Sequence, residues 1–281
     1  MPSACSTDCT GNSPPVSPES LAAFASLKDV HAGVLSVRYA DAGPTGGPAV
    51  LLLHGWPYDI HSFVEVSPLL AAAGFRVVVP YLRGFGGTRL SSSATVRNGQ
   101  QSVLAYDVIE LMDALKIQKA ILAGFDWGAR TANIVAALWP ERCNALVSVS
   151  GYLIGNQEAG KAPLAPRDEY QWWYQYYFAT ERGRTGYDKY RRDFAKFIWQ
   201  QASPKWNFNE STFQRSAAAF DNADHVSIVT GIDRNSDRRS LIFLWLLLEF
   251  VDPFYGDFAA WVLAQSAPGL SRSGYCSSIP S

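Results

Sequence analysis

Short apolar runs and longer amphipathic stretches alternate along the chain between Leu35 and Ser150. Residues 35–40 alternate apolar and polar side chains, as expected of a half-buried edge strand. Continuous apolar runs are typical of central strands that are buried on both faces, and they occur at residues 49–53, 76–79, 120–123 and 145–149. Such strands, separated by helices, predict an α/β protein with a mostly parallel sheet.

The stretches between these runs predict helices at residues 63–73, 101–115 and 129–139, and Pro140 ends the last of them. Residues 151–230 differ, because strand-like runs disappear and aromatic side chains crowd residues 170–178. We interpret residues 27–150 as a catalytic core and residues 151–230 as an inserted helical lid.

The two ends of the chain lack this pattern. Residues 1–26 are rich in Ser, Pro and Thr without the apolar run of a signal peptide, which indicates a disordered leader. Residues 231–281 are atypical: a polar stretch is followed by a solidly apolar run at residues 241–248 and a Ser/Gly/Pro-rich end. The apolar run is far shorter than the ~20 residues of a membrane span, so it predicts a buried helix.

Composition narrows the possible partners. The 281 residues, 48% of them hydrophobic, suffice for one sizeable core, and 24 basic against 25 acidic residues give no field that would attract nucleic acid or an anionic membrane. The four cysteines have no repeated spacing, which favours neither a disulfide framework nor a zinc site. We expect a cytoplasmic protein with a small-molecule substrate, no metal and no cofactor; the oligomeric state stays open.

The sequence Gly-Phe-Asp-Trp-Gly at residues 124–128 lies directly between a predicted strand and a predicted helix. This is the context of a nucleophile elbow, a strained turn whose flanking glycines let strand and helix approach closely. Its apex lies at the carboxyl end of a central strand, where open α/β sheets bind ligands, and the following helix N-terminus favours an anion. We predict that Asp126 is an ionised nucleophile.

A second loop, formed by His54, Gly55, Trp56 and Pro57, follows another predicted strand. With an elbow of this kind, that loop supplies one backbone N–H of an oxyanion hole, and the residue after the nucleophile supplies the other. The predicted donors are therefore the amides of Trp56 and Trp127. Either motif alone could be a glycine-rich turn without chemistry, but both in the expected order favour catalysis.

These motifs, together with Tyr-Leu-Arg-Gly-Phe-Gly-Gly-Thr at residues 81–88 and an aromatic lid entered near Tyr174, resemble the epoxide hydrolase and haloalkane dehalogenase branch of the α/β-hydrolases. The resemblance covers roughly residues 27–229. It implies the α/β-hydrolase fold, a cis bond before Pro57, and a reaction in which the nucleophilic Asp forms an alkyl ester.

The lid and the oxyanion loop bear on which of the two chemistries applies. Epoxide hydrolases protonate the departing epoxide oxygen with lid tyrosines, and residues 174–178 are similar to the segment that carries the first, which makes Tyr174 the candidate general acid. The neighbouring aromatic residues are expected to be packing residues. Many dehalogenases have a halide-binding Asn where this chain has Trp56, although the Trp127 indole could still bind a halide.

Hydrolysis of an ester intermediate requires a general base, which family members provide as a histidine near the C-terminus. This chain has no histidine after His225. We identify no general base among His31, His54, His61 and His225, of which His61 is the least remote substitute. An orienting acid and a second lid tyrosine are also unassigned.

We hypothesise that the family sequence ends near Thr230 and that the remaining residues come from an altered reading frame or a truncation. The C-terminal strands of the fold would then be missing or replaced, and a hydrophobic sheet edge would be exposed. Three functions stay open on the sequence: an epoxide hydrolase with doubtful turnover, a haloalkane dehalogenase, and an inactive remnant or binding protein.

Overall fold

The computed structural model describes Phe24, residues 26–151 and residues 162–231. The strands are β1 Lys28–Ala32, β2 Leu35–Ala42, β3 Ala49–Leu53, β4 Arg76–Pro80, β5 Arg89–Leu90, β6 Ala120–Phe125 and β7 Cys143–Val149. The helices are α1 Val66–Ala72, α2 Gln101–Ala114, α3 Trp127–Leu138, α4 Pro166–Gln171, α5 Trp173–Phe178, α6 Glu181–Ala202, α7 Glu210–Ala217 and α8 His225–Thr230. Short 3₁₀ turns occupy Ile60–Phe63, Pro140–Arg142 and Ala218–Asp221.

The sheet has the order β1-β2-β4-β3-β6-β7, with β5 paired to β2. Strands β4, β3, β6 and β7 run parallel, whereas β1, β2 and β5 join antiparallel. Every residue of β3 is buried, because this strand has a neighbour on each side and helices on both faces. The predicted α/β class is therefore confirmed, with an antiparallel extension at one edge of the sheet.

One strand prediction was wrong in position, and a second is only partly described by the structure. Strand β2 does not lie at the edge, because β1 pairs with it along its outer side; the polar residues of β1 hid that strand in the sequence. Strand β7 was predicted to be central; within the described residues β6 is its one neighbour, and most of β7 is exposed. Leu146 in β7 is 38% exposed.

The helix predictions were correct in number within the core but not at every boundary. Helix α2 matches its prediction to within one residue. Helix α1 begins at Val66 rather than at residue 63, because a 3₁₀ turn capped by the Asp59 side chain precedes it. Helix α3 begins at Trp127, directly after Asp126 and two residues earlier than predicted, and it ends before Pro140 as predicted.

The N-terminal prediction needs one correction. Phe24, assigned to the disordered leader, is 7% exposed and joins the main core, where its ring centroid lies 6.1 Å from that of His61. An apolar ring in contact with the core is held there by burial of its surface. The rest of the predicted leader before Phe24, and residues 232–281 with the predicted apolar helix, lie outside the described residues.

Helices α4 to α8 follow the sheet and carry a second set of buried aromatic side chains. The fully buried rings of Tyr187, Trp199 and Phe213 belong to α6 and α7 and are continuous with the core below them. None of the helices in the described ranges is long and apolar enough to span a membrane.

Candidate active site

Asp126 forms the turn between β6 and α3. Its backbone has φ 51° and ψ −120°, a left-handed conformation that costs energy for any residue with a side chain. The amide of Asp126 donates to the carbonyl of Val149 at 3.0 Å, and its carbonyl accepts from Arg130 at 3.0 Å, so both sides of the turn are fixed. The side chain is 23% exposed and stands at the carboxyl end of the sheet.

Close backbone contacts explain the glycine spacing of the elbow. A Cβ atom on Gly128 would lie 2.0 Å from the Leu53 carbonyl oxygen, and one on Gly124 would lie 2.6 Å from the carbonyl carbon of Gly128. Side-chain atoms cannot occupy such space without a shift of the backbone. The glycines therefore bring α3 and β6 close enough to the oxyanion loop for contact.

The loop of residues 54–57, the predicted oxyanion loop, contacts Asp126 directly. The Trp56 amide donates to Oδ1 of Asp126 at 2.9 Å, and the Trp127 amide also hydrogen-bonds to this carboxylate. A Cβ atom on Gly55 would lie 2.5 Å from Cβ of Asp126, so this close approach depends on glycine. The bond between Trp56 and Pro57 is cis. The structure thus brings both predicted amide donors to one carboxylate.

Arg130 lies one helical turn after Asp126, and the sequence analysis missed it. Its Nη2 lies 3.5 Å from Oδ2 of Asp126, and the guanidinium side chain is only 9% exposed. Burial raises the pKa of the Asp126 carboxyl, while the charge of Arg130 and the Trp56 and Trp127 amides act to lower it. The i,i+4 spacing from Asp126 was the available signal.

Tyr174 lies on α5 and is partly buried over the oxyanion loop. Its ring centroid is 5.2 Å from that of Trp56, and Phe178 contacts both rings from the same helix. The neighbouring aromatic residues point elsewhere: Trp173 and Tyr177 pack on Phe194 of α6. The structure therefore places Tyr174, among these candidates, beside the loop that holds the nucleophile.

The four histidines occupy different surroundings. His31 is exposed on β1. His54 is fully buried; its Nδ1 contacts the Gly55 carbonyl, its Nε2 accepts from the Leu82 amide, and burial lowers its pKa to about 4. His225 is also buried, with both ring nitrogens bonded.

His61 is the histidine that has a carboxylate partner. Its Nδ1 lies 2.7 Å from Oδ2 of Asp59, whose side chain is fully buried and caps the 3₁₀ turn. The sequence analysis named His61 but did not assign this acid, although the two residues are only two positions apart. An Asp–His pair of this kind fixes which ring nitrogen is protonated.

The fold and the elbow together define the class of this protein. A sequence profile of the α/β-hydrolase fold matches residues 48–207, and the chain therefore belongs to the α/β-hydrolase family. A crystal structure of a candidate epoxide hydrolase from Klebsiella pneumoniae is 52% identical and superimposes with a TM-score of 0.73 over 86% of this chain and 78% of the other. This relative places the chain in the epoxide hydrolase branch.

Two curated relatives are similar to a shorter part of this chain. Epoxide hydrolase B of Mycobacterium tuberculosis is 34% identical over 157 residues, which is 51% of this chain and 44% of that protein. An epoxide hydrolase of Caballeronia sordidicola is 34% identical over 122 residues, or 43% of this chain and 36% of the other. The matched part of the chain thus spans less than half the length of these two curated relatives.

Proposed function

We propose that this protein opens small, mostly apolar epoxides by forming an ester on Asp126. One observation carries the proposal: the Trp56 amide holds Oδ1 of the carboxylate at 2.9 Å, while Oδ2 is not part of that bond. A carboxylate needs no base to attack carbon, but it needs a fixed orientation and an acid for the leaving oxygen. The epoxide hydrolase relatives support the choice of substrate class.

The first step balances with residues of the site alone. A lone pair on Oδ2 of Asp126 attacks an epoxide carbon, the bond from that carbon to the ring oxygen breaks, and the alkoxide takes the proton of the Tyr174 hydroxyl. The Tyr174 phenolate regains a proton from water. The product is a hydroxyalkyl ester whose carbonyl oxygen, the former Oδ1, stays bonded to the Trp56 amide.

The second step adds water to that ester and releases a diol and the Asp126 carboxylate. The oxyanion that forms on the former Oδ1 is where the Trp56 and Trp127 amides would stabilise charge. Deprotonating the water needs a base, and His54 and His225 already use both ring nitrogens in other hydrogen bonds. We therefore propose that hydrolysis is the slow step and that His61, paired with Asp59, is the first base to test.

The dehalogenase alternative is less well supported by the same loop. Halide binding in such a site needs N–H donors near the leaving group, and the Trp56 indole already donates to Tyr187 at 2.9 Å. The Trp127 indole is the remaining candidate donor. Halide release from a haloalkane, with no diol formed from epoxides, would favour this alternative.

Intact-mass measurement with an epoxide panel tests the proposal. We expect the full chain to gain the mass of one epoxide, with the modification on the peptide that contains Asp126, and to form diol slowly. Asp126→Asn removes the nucleophilic charge at nearly constant volume and should form no adduct. If the folded wild-type protein forms no adduct and no diol, the proposed activity is refuted.

If diol forms steadily without an accumulating adduct, the second step is not slow and a base is present. His61→Gln then separates two cases, because an adduct that accumulates only in this variant assigns the base to His61. Unchanged turnover in His61→Gln would refute that assignment.

A further inference from the structure

A chain of buried hydrogen bonds connects the oxyanion loop to the lid helices. Nε1 of Trp56 lies 2.9 Å from the hydroxyl of Tyr187 on α6, and this hydroxyl lies 2.8 Å from Nε2 of His225 on α8. Nδ1 of His225 lies 2.9 Å from the Gly84 carbonyl oxygen. Trp56 is 8% exposed, and Tyr187 and His225 are fully buried.

Donor and acceptor types, together with the neutral state of His225, set the direction of each bond in this chain. An indole N–H can only donate and a carbonyl can only accept, so Trp56 donates to Tyr187 and His225 donates from Nδ1 to Gly84. If the imidazole is neutral, Nε2 of His225 accepts the Tyr187 proton, whereas a protonated imidazole would donate from Nε2 instead. Burial lowers the pKa of His225 to about 3, so the ring is neutral at pH 7.

The same lid helix holds the loop at a second point. Nε1 of Trp199, also on α6, donates to the carbonyl of Pro57 at 2.8 Å. The Trp199 ring stacks on Tyr58 with centroids 4.9 Å apart and planes 13° apart. Helix α6 therefore contacts three consecutive residues, Trp56, Pro57 and Tyr58.

We propose that Tyr187 and His225 are positioning residues for the oxyanion hole, acting through Trp56 on the amide that binds Asp126. The proposal rests on the proposed function of that site. The Trp56 side chain and its amide belong to one residue, so release of the indole frees the amide from its 2.9 Å bond to the carboxylate. A displacement of about 1 Å can slow a reaction that depends on such alignment by about a hundredfold.

Three substitutions separate positioning from simple packing. Tyr187→Phe removes the hydroxyl. His225→Asn places an amide N–H where Nδ1 was and removes the acceptor for Tyr187, whereas His225→Gln places an acceptor where Nε2 was and removes the donor to Gly84. If the chain acts through Tyr187, His225→Gln should retain function that His225→Asn loses.

The first measurement is the rate constant of Asp126 alkylation at saturating epoxide, together with the half-saturating concentration. Tyr187→Phe and His225→Asn should slow alkylation about tenfold with an unchanged half-saturating concentration, and His225→Gln should stay within about threefold of wild type. Tyr190→Phe on the same helix, where the side chain is 52% exposed, is the control and should match wild type. Equal loss in both His225 variants, or no loss in Tyr187→Phe, would overturn the proposal.

A second measurement does not need activity. In ¹⁵N-labelled full-length protein, His225 should show a protonated Nδ1 and an unprotonated Nε2, and the Trp56 indole and backbone N–H should exchange slowly. Both Trp56 protons should exchange faster in Tyr187→Phe and His225→Asn but not in His225→Gln. If the wild type forms no adduct, the proposed function fails while this exchange pattern still decides the positioning role; equal exchange in all variants rejects it. Should a His225 variant not fold, Tyr187→Phe against Tyr190→Phe gives the same decision.

Discussion

The guanidinium of Arg130 and the carboxylate of Asp126 face each other across the first turn of α3, with Nη2 3.5 Å from Oδ2. The contact places a cation beside the oxygen that the Trp56 amide leaves free. Because burial raises the pKa of Asp126, a neighbouring positive charge favours the ionised form on which nucleophilic attack depends. Arg130 thereby opposes the cost of placing a carboxylate in a largely buried site.

This relationship predicts a pH-dependent defect in Arg130→Met. Removing the charge leaves desolvation opposed by the amides alone, so the pKa of Asp126 rises further and a larger fraction is protonated at acidic pH. Alkylation should be slower on the order of tenfold at low pH, with the difference narrowing as pH rises. Arg130→Lys keeps the charge and is the matched control. Parallel pH profiles for the wild type and Arg130→Met would exclude this electrostatic role.

The proposed role of Tyr174 as proton donor predicts a selective loss in Tyr174→Phe. Ring packing on Trp56 is preserved while the hydroxyl is removed, so epoxide opening should slow on the order of a hundredfold. Tyr176→Phe on the same helix is the control, because that side chain is 50% exposed and its hydroxyl bonds to Glu169. The measurement is the alkylation rate with each variant, and similar rates for both would remove Tyr174 from the mechanism.

The elbow packing predicts a large difference between two glycine substitutions. Gly128→Ala places Cβ 2.0 Å from the Leu53 carbonyl oxygen and should destabilise the protein by roughly 2–3 kcal/mol. Gly46→Ala meets nothing within 4 Å and should change stability by less than about 0.5 kcal/mol. Urea unfolding of both variants tests this. Equal stabilities would mean that the backbone around residue 128 relaxes freely.

The buried neutral histidines predict loss of stability in acid. Burial depresses the pKa of His54 to about 4 and of His225 to about 3, from 6.5 in the unfolded chain. Between these folded-state pKa values and 6.5, the unfolded state binds more protons than the folded state. The free energy of unfolding is therefore highest above about pH 6.5. It falls as pH decreases, by about 1.4 kcal/mol per pH unit for each histidine. His225→Gln should reduce this slope by one such increment in urea titrations between pH 4 and pH 6. An unchanged slope would show that His225 is protonated in the folded protein.

Local pattern was sufficient for the parts of this protein that depend on neighbouring residues. The apolar runs of β3, β4 and β6 and the placement of Asp126 between a strand and a helix were legible, because burial on both faces and the steric demands of an elbow leave direct marks in the sequence. Which strands lie at the edges of the sheet could not be predicted from the sequence. Strand β1 is largely polar and β7 is largely apolar, so their composition does not indicate which strands have a neighbour on each side. Strand pairing depends on the rest of the sheet.

The sequence by itself determined the α/β class, and it predicted the turn at Asp126 and the Trp56 and Trp127 amides as donors to it. Only the tertiary structure decided what surrounds them: Arg130 beside Asp126, Asp59 beside His61, and the bonds that join Trp56 to Tyr187 and His225. Tyr187 and His225 lie more than a hundred residues after Trp56, and no sequence period relates them. Their meeting follows from how α6 and α8 pack over the carboxyl ends of the strands, which is a property of the folded chain.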